Sequence, residues 1–116
     1  MLRRGLVVMA VVGVLAGCAP EPTEVVVELP TEVPGGVRLA WERVRGADAY
    51  ELVFRRVTGS PICTVSVAAS KHPEFVVQGD SMPTGLPRFY QVDVEVRAWR
   101  KGEPMKAMGN RPFRTP

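Results

Sequence analysis

Thiol ligands and imidazole bases are almost missing from this chain: it has two cysteines and one histidine in 116 residues. A metal site needs clustered His, Cys or carboxylate side chains at ligand spacing. His72 stands alone in Lys71-His72-Pro73, and neither Cys18 nor Cys63 has a spaced partner. A Ser-His-Asp arrangement would have His72 as its one imidazole, and its setting reads as a solvated turn. There is no Gly-rich phosphate loop. Arg45-Gly46-Ala47-Asp48 is not the integrin tripeptide, because Ala47 intervenes, and it reads as a turn between strands. These absences argue against an enzyme and predict neither metal nor cofactor. No window carries apolar residues at helical spacing, and no internal repeat is found. Nor is any apolar run long enough to cross a bilayer, which takes about 20 residues; Leu6–Leu15 has ten.

What that run does resemble is the middle of an export signal. Met1–Arg4 carries two arginines and no acid. Leu6–Leu15 contains only Leu, Val, Met, Ala and Gly, and small residues follow it. A basic start, a short apolar stretch and a small-residue cut site describe a secretory signal. Its end, Leu15-Ala16-Gly17-Cys18, resembles the lipobox of bacterial lipoproteins residue for residue. The resemblance implies cleavage after Gly17 and a diacylglyceryl thioether on Cys18, often with palmitate or another acyl chain on the new amino group. A thiol is needed because the thiolate is the nucleophile that accepts the lipid. The expected organisation is a removed signal at 1–17, a lipidated Cys and short tether at 18–24, and one domain at 25–116. The covalent lipid on Cys18 is the only prosthetic group expected.

Removing residues 1–17 changes the charge. The whole chain has 15 basic and 12 acidic residues, a net +3. Arg3 and Arg4 leave with the signal, so the mature 99 residues hold 13 basic against 12 acidic, or +1. That balance, together with export, argues against nucleic acid as a partner. With Cys18 lipidated, Cys63 has no partner within the chain. It is either a small buried hydrophobe or a reactive thiol.

Beyond the tether the chain reads as strands. Fifteen of the 99 mature residues are Val, which favours strand, and Pro or Gly recurs every 8 to 15 residues, which breaks helices and supplies turns. Seven strands are predicted: 24–33 with Pro30 marking an edge, 37–42, 49–57, 62–68, 74–78, 89–100 and 104–113. The sixth alternates most strictly. Tyr90, Val92, Val94, Val96 and Ala98 form one face, with Gln91, Asp93, Glu95, Arg97 and Trp99 on the other. Such alternation predicts one buried and one wet face.

The run Trp41-Glu42-Arg43-Val44-Arg45-Gly46-Ala47-Asp48-Ala49-Tyr50-Glu51-Leu52 resembles the second-to-third strand segment of fibronectin type III domains. Val96-Arg97-Ala98 is similar to that family's sixth strand, and Arg114-Thr115-Pro116 to its usual end. The likeness covers about residues 25–116. It implies an all-β, seven-strand fibronectin type III or immunoglobulin-like sandwich, with Trp41 at its centre and Tyr50 and Leu52 facing it from the other sheet. One position departs from the family. Val92 falls where a tyrosine is expected, and Tyr90 sits too close to Leu86, so the tyrosine corner is in question.

The expected function is a membrane-anchored, non-catalytic binding or structural module of the bacterial cell envelope, with an envelope protein, the wall or a glycan as partner. The alternative is a small accessory subunit of a secretion or outer-membrane assembly complex. The candidate partner face is Arg55, Arg97 and Trp99 on the wet side of the third and sixth strands, because Trp and Arg are enriched where proteins bind proteins. The other reading of Trp99 is packing under the seventh strand or on an Arg stem. Ala19 stands where enteric lipoproteins retained in the inner membrane carry Asp. This points to the outer membrane where the host has one, and otherwise to the outer face of the cell membrane. A Cys18→Ser chain is expected to lose incorporation of labelled palmitate and to stay uncleaved or be released. Palmitate on the Ser chain would overturn the lipobox assignment.

Overall fold

The computed structural model describes residues 20–116, so the signal segment and Cys18 lie outside the described residues. Seven strands follow one another: β1 (Thr31–Val33), β2 (Gly36–Ala40), β3 (Ala49–Arg56), β4 (Pro61–Ala68), β5 (Glu74–Gln78), β6 (Gln91–Arg100) and β7 (Glu103–Arg114). They form two antiparallel sheets, ordered β1-β2-β5 and β4-β3-β6-β7, packed as an all-β sandwich.

Period-two alternation supplies the core. Leu39 and Trp41 come from one layer; Tyr50, Leu52 and Phe54 of β3 and Val92, Val94, Val96 and Ala98 of β6 come from the other, all at most 1% exposed. Each such valine or leucine contributes about 1.5–3 kcal/mol by leaving water. Trp41 meets Tyr50 edge-on, with ring centroids 5.4 Å apart and planes at 71°, the geometry that ring quadrupoles favour. The buried Tyr50 hydroxyl accepts the Val44 N–H at 2.9 Å, which satisfies both groups.

The first predicted strand is not continuous. Val27 bridges Trp41, whereas Thr31 pairs with Arg38. Four residues on one side thus match three on the other, and the extra residue falls around Pro30, which has no N–H to give a ladder. The segment before it closes the sandwich. Glu28 N–H donates to Ala40 C=O and Glu42 N–H to Val26 C=O, both at 2.9 Å, while Val25 N–H donates to Met108 C=O of β7 at 3.1 Å. Val25 and Val27 are 2% and 5% exposed. The same few residues therefore touch both sheets.

The sixth strand begins two residues later than predicted, at Gln91. Phe89 adopts φ 55°, a left-handed conformation that ends the pleat. Tyr90, expected inside, is 44% exposed. The buried residue is Val92, so no tyrosine corner forms here. Thr115, 2% exposed, does the bonding instead: its hydroxyl accepts the Tyr90 N–H and donates to Pro87 C=O, both at 2.8 Å. The β6–β7 hairpin is closed by Lys101 and Gly102, at φ 51° and 79°. Two positive φ values give the mirror-image turn whose twist suits a hairpin.

Gly109 permits the closure. A Cβ there would lie 1.9 Å from the Val25 carbonyl oxygen, so any side chain must push the N-terminal segment away. Gly109→Ala is expected to destabilise the domain by about 3 kcal/mol, roughly the burial of one to two valines, and to raise protease sensitivity before Thr31. Urea unfolding and limited proteolysis check this.

Candidate functional site

Arg55, Arg97 and Trp99 lie on the outer face of the four-stranded sheet. Register places Arg55 opposite Asp93, Val53 opposite Glu95, Glu51 opposite Arg97 and Ala49 opposite Trp99. Both arginines turn toward one acid. Arg55 Nε reaches Glu95 Oε1 at 3.0 Å, and Arg97 Nη2 reaches Glu95 Oε2 at 2.9 Å. The two guanidiniums hold Glu95 at 7% exposure on a face that alternation alone assigns to solvent. Both remain about a third exposed, so screening keeps each pair to roughly 1 kcal/mol or less. Beside them Asn110 Nδ2 donates to Asp93 Oδ2 at 2.9 Å. Val53 is also buried on this face, flanked by the long side chains of Glu51, Arg55 and Arg97.

Trp99 stands apart from this network. Six residues of β6 separate its row from that of Arg55, about 20 Å of strand. It is half-buried and borders a hollow of about 210 Å³ lined by Asp48, Ala49, Tyr50, Glu51, Ser66 and Gly102. Its indole N–H is out of contact with water and has no hydrogen-bond partner among the described residues; that of Trp41 is in the same condition. An unmet buried donor costs about 1–3 kcal/mol, so what Trp99 offers the hollow is ring surface and not its N–H. Asp48 on the rim is already committed, since its Oδ2 accepts the Lys101 N–H at 2.8 Å.

The structure thus divides the three predicted residues into an internally satisfied Arg55–Glu95–Arg97 strip and a separate Trp99 hollow. Sequence reading missed Glu95 as the centre of the strip. Finding it required the β3–β6 register, which puts Arg55 on the diagonal from Glu95. His72 is exposed beside Lys71. Among the described residues no group of three or more His, Cys, Asp or Glu is placed to hold a metal ion. No protein family, curated protein or solved structure matches the chain.

Cys63 is free and half-buried on β4, on the inward side with Val65 and Val67 against the core. Burial pushes its thiol above the ordinary value of 9.0, because a thiolate there would lose hydration. Folding therefore favours the protonated form. That contribution is present below the ordinary value and is lost as pH rises through the raised one. Cys63 is expected to react with a disulfide reagent more slowly in the folded domain than in urea at pH 8, with the gap narrowing above pH 9. Equal rates in the two states would show an exposed, activated thiol.

Proposed function

We propose that this protein is a lipid-anchored, non-catalytic binding module of the bacterial cell envelope, held to a membrane through Cys18 and built on a fibronectin type III-like sandwich. The export signal and Leu15-Ala16-Gly17-Cys18 support the anchor. The three-plus-four division of strands, with Trp41 packed on Tyr50, supports the family likeness. The observation that carries the binding role is Trp99, a large, half-buried aromatic on an outer sheet face that lines a hollow. Aromatic side chains with one polar group are frequent anchors of recognition. The partner class is an envelope protein, the wall or a glycan.

A second reading, a permanently docked subunit of an envelope assembly, is favoured by β4. This strand is an edge of the four-stranded sheet, and none of its eight residues, Pro61–Ala68, is charged. Charged residues are a usual guard against strand addition at an edge. Uncharged and eight residues long, β4 suits pairing with a strand of another subunit.

Co-purification from detergent-solubilised membranes separates the two. On the module reading, Trp99→Ala leaves the melting temperature within a few degrees and weakens the recovered complex by about 2 kcal/mol, some thirtyfold in affinity. On the subunit reading, Thr64→Lys on the exposed side of β4 abolishes a stable complex that Trp99→Ala leaves intact. An unchanged set of co-purifying molecules in both variants would overturn both readings.

A further inference from the structure

We infer that the membrane surface is a direct partner of one end of this domain: a lipid on Cys18 would seat the β6–β7 hairpin end on the lipid headgroups in a fixed orientation. The inference rests on the Cys18 anchor proposed above. It goes beyond that anchor because residues 20–24, read from sequence as part of a short tether, are held along the sandwich.

The hold begins with an irregularity in β7. Arg97 pairs with Met108 but Trp99 with Pro104, so four residues of β7 are spent on two of β6, and the surplus falls within Met105–Ala107, where Ala107 still packs into the core. A bulge leaves ladder groups unpaired. The Lys106 N–H, within it, donates to Glu21 Oε2 at 2.9 Å. One residue earlier, the Pro20 carbonyl accepts Arg45 Nη2 at 3.3 Å. Glu24 bridges Met108 in parallel. Traced backward from Glu24, the chain therefore runs beside β7 toward the hairpin, and Pro20, Glu21 and Pro22 lie against Arg45, Gly46, Arg100 and Met105.

Covalent geometry does the rest. One residue, Ala19, separates Pro20 from Cys18, and the two chain steps reach about 7 Å at full extension. A tether free from Glu24 onward would reach about 20 Å. At the shorter distance the hairpin end falls within the Debye length of a charged surface, about 8 Å in physiological salt. That end presents Arg43, Arg45, Lys71, Arg100, Lys101 and Lys106, with Glu21, Glu42, Asp48 and Glu103 as its acids. Six cations against four acids give only a weak preference for anionic lipid, so the short link, more than charge, sets the orientation. The opposite end carries the exposed apolar side chains of Val57 (69%), Phe89 (62%) and Tyr90 (44%), and this seating turns them away from the membrane.

The test uses the full lipidated protein in vesicles of phosphatidylethanolamine and phosphatidylglycerol, in a Cys63→Ala background. A fluorophore is placed by Glu103→Cys at the hairpin end or by Thr58→Cys at the far end, and headgroup-labelled lipid serves as quencher. Acylation of Cys18 is verified on the same samples with labelled palmitate. The expected result is several-fold stronger quenching at residue 103 than at residue 58. Adding Glu21→Ala and Arg45→Ala, which free the tether without touching the core, is expected to bring the two sites toward equality. Equal quenching in the parent protein with palmitate on Cys18 would overturn the seating and leave the anchor standing. A large difference that survives the double Ala change would overturn the tether contacts as its cause. Absence of acyl label on Cys18 would overturn the anchor itself, and the seating with it.

Discussion

The passage of Val25 across Gly109 is the contact on which much else in this domain depends. A two-sheet sandwich has an open seam wherever its sheets are not bridged. Here one segment bonds to the end of the three-stranded sheet near Trp41 and to Met108 of the four-stranded one. Closing that seam buries Val25 and Val27 and covers the side of the core where Trp41 packs on Tyr50. It also sets the course of everything N-terminal to it. The approach is so close that only a residue without a side chain fits beneath the Val25 carbonyl.

The edges of the two sheets are treated unequally. β7 is partly covered by the N-terminal segment, and Arg111 Nε adds a bond to Val27 C=O at 2.9 Å. β1 has three residues, too short to template another strand. β5 carries Glu74, ion-paired with Arg38 of β2. β4 has none of these protections. Its inward side chains, Cys63 included, still contribute to the core, so the strand is anchored on one side while its edge stays available.

On the outer face of the four-stranded sheet, electrostatics works locally. Glu95 draws Arg55 and Arg97 inward and Asp93 takes Asn110, so the middle of this face is bonded to itself. The unmet polarity lies at the end beside the hairpin, at the Trp99 indole. A face that looks uniformly polar in sequence is divided by two acids that consume its donors.

Strand content and strand faces were legible in the sequence because they depend on local periodicity. Alternation in Val92–Ala98 fixed which side of β6 is buried, and Pro and Gly placed most of the turns. Trp41 and Tyr50, both buried, followed from the same alternating pattern. Contacts between distant residues were not legible. Nothing local says that Glu95 is buried, since its partner Arg55 lies 40 residues away. Glu21 and Lys106 meet across 85 residues, and the bulge that frees the Lys106 amide exists only once β7 is registered against β6. Tyr90 followed the alternating pattern and yet faces water, because Phe89 turns left-handed where the C-terminus bonds across at Thr115. Periodicity reports what one strand does with its own side chains; pairing register, bulges and the course of the N-terminal segment depend on two strands at once, so only the tertiary structure decided them.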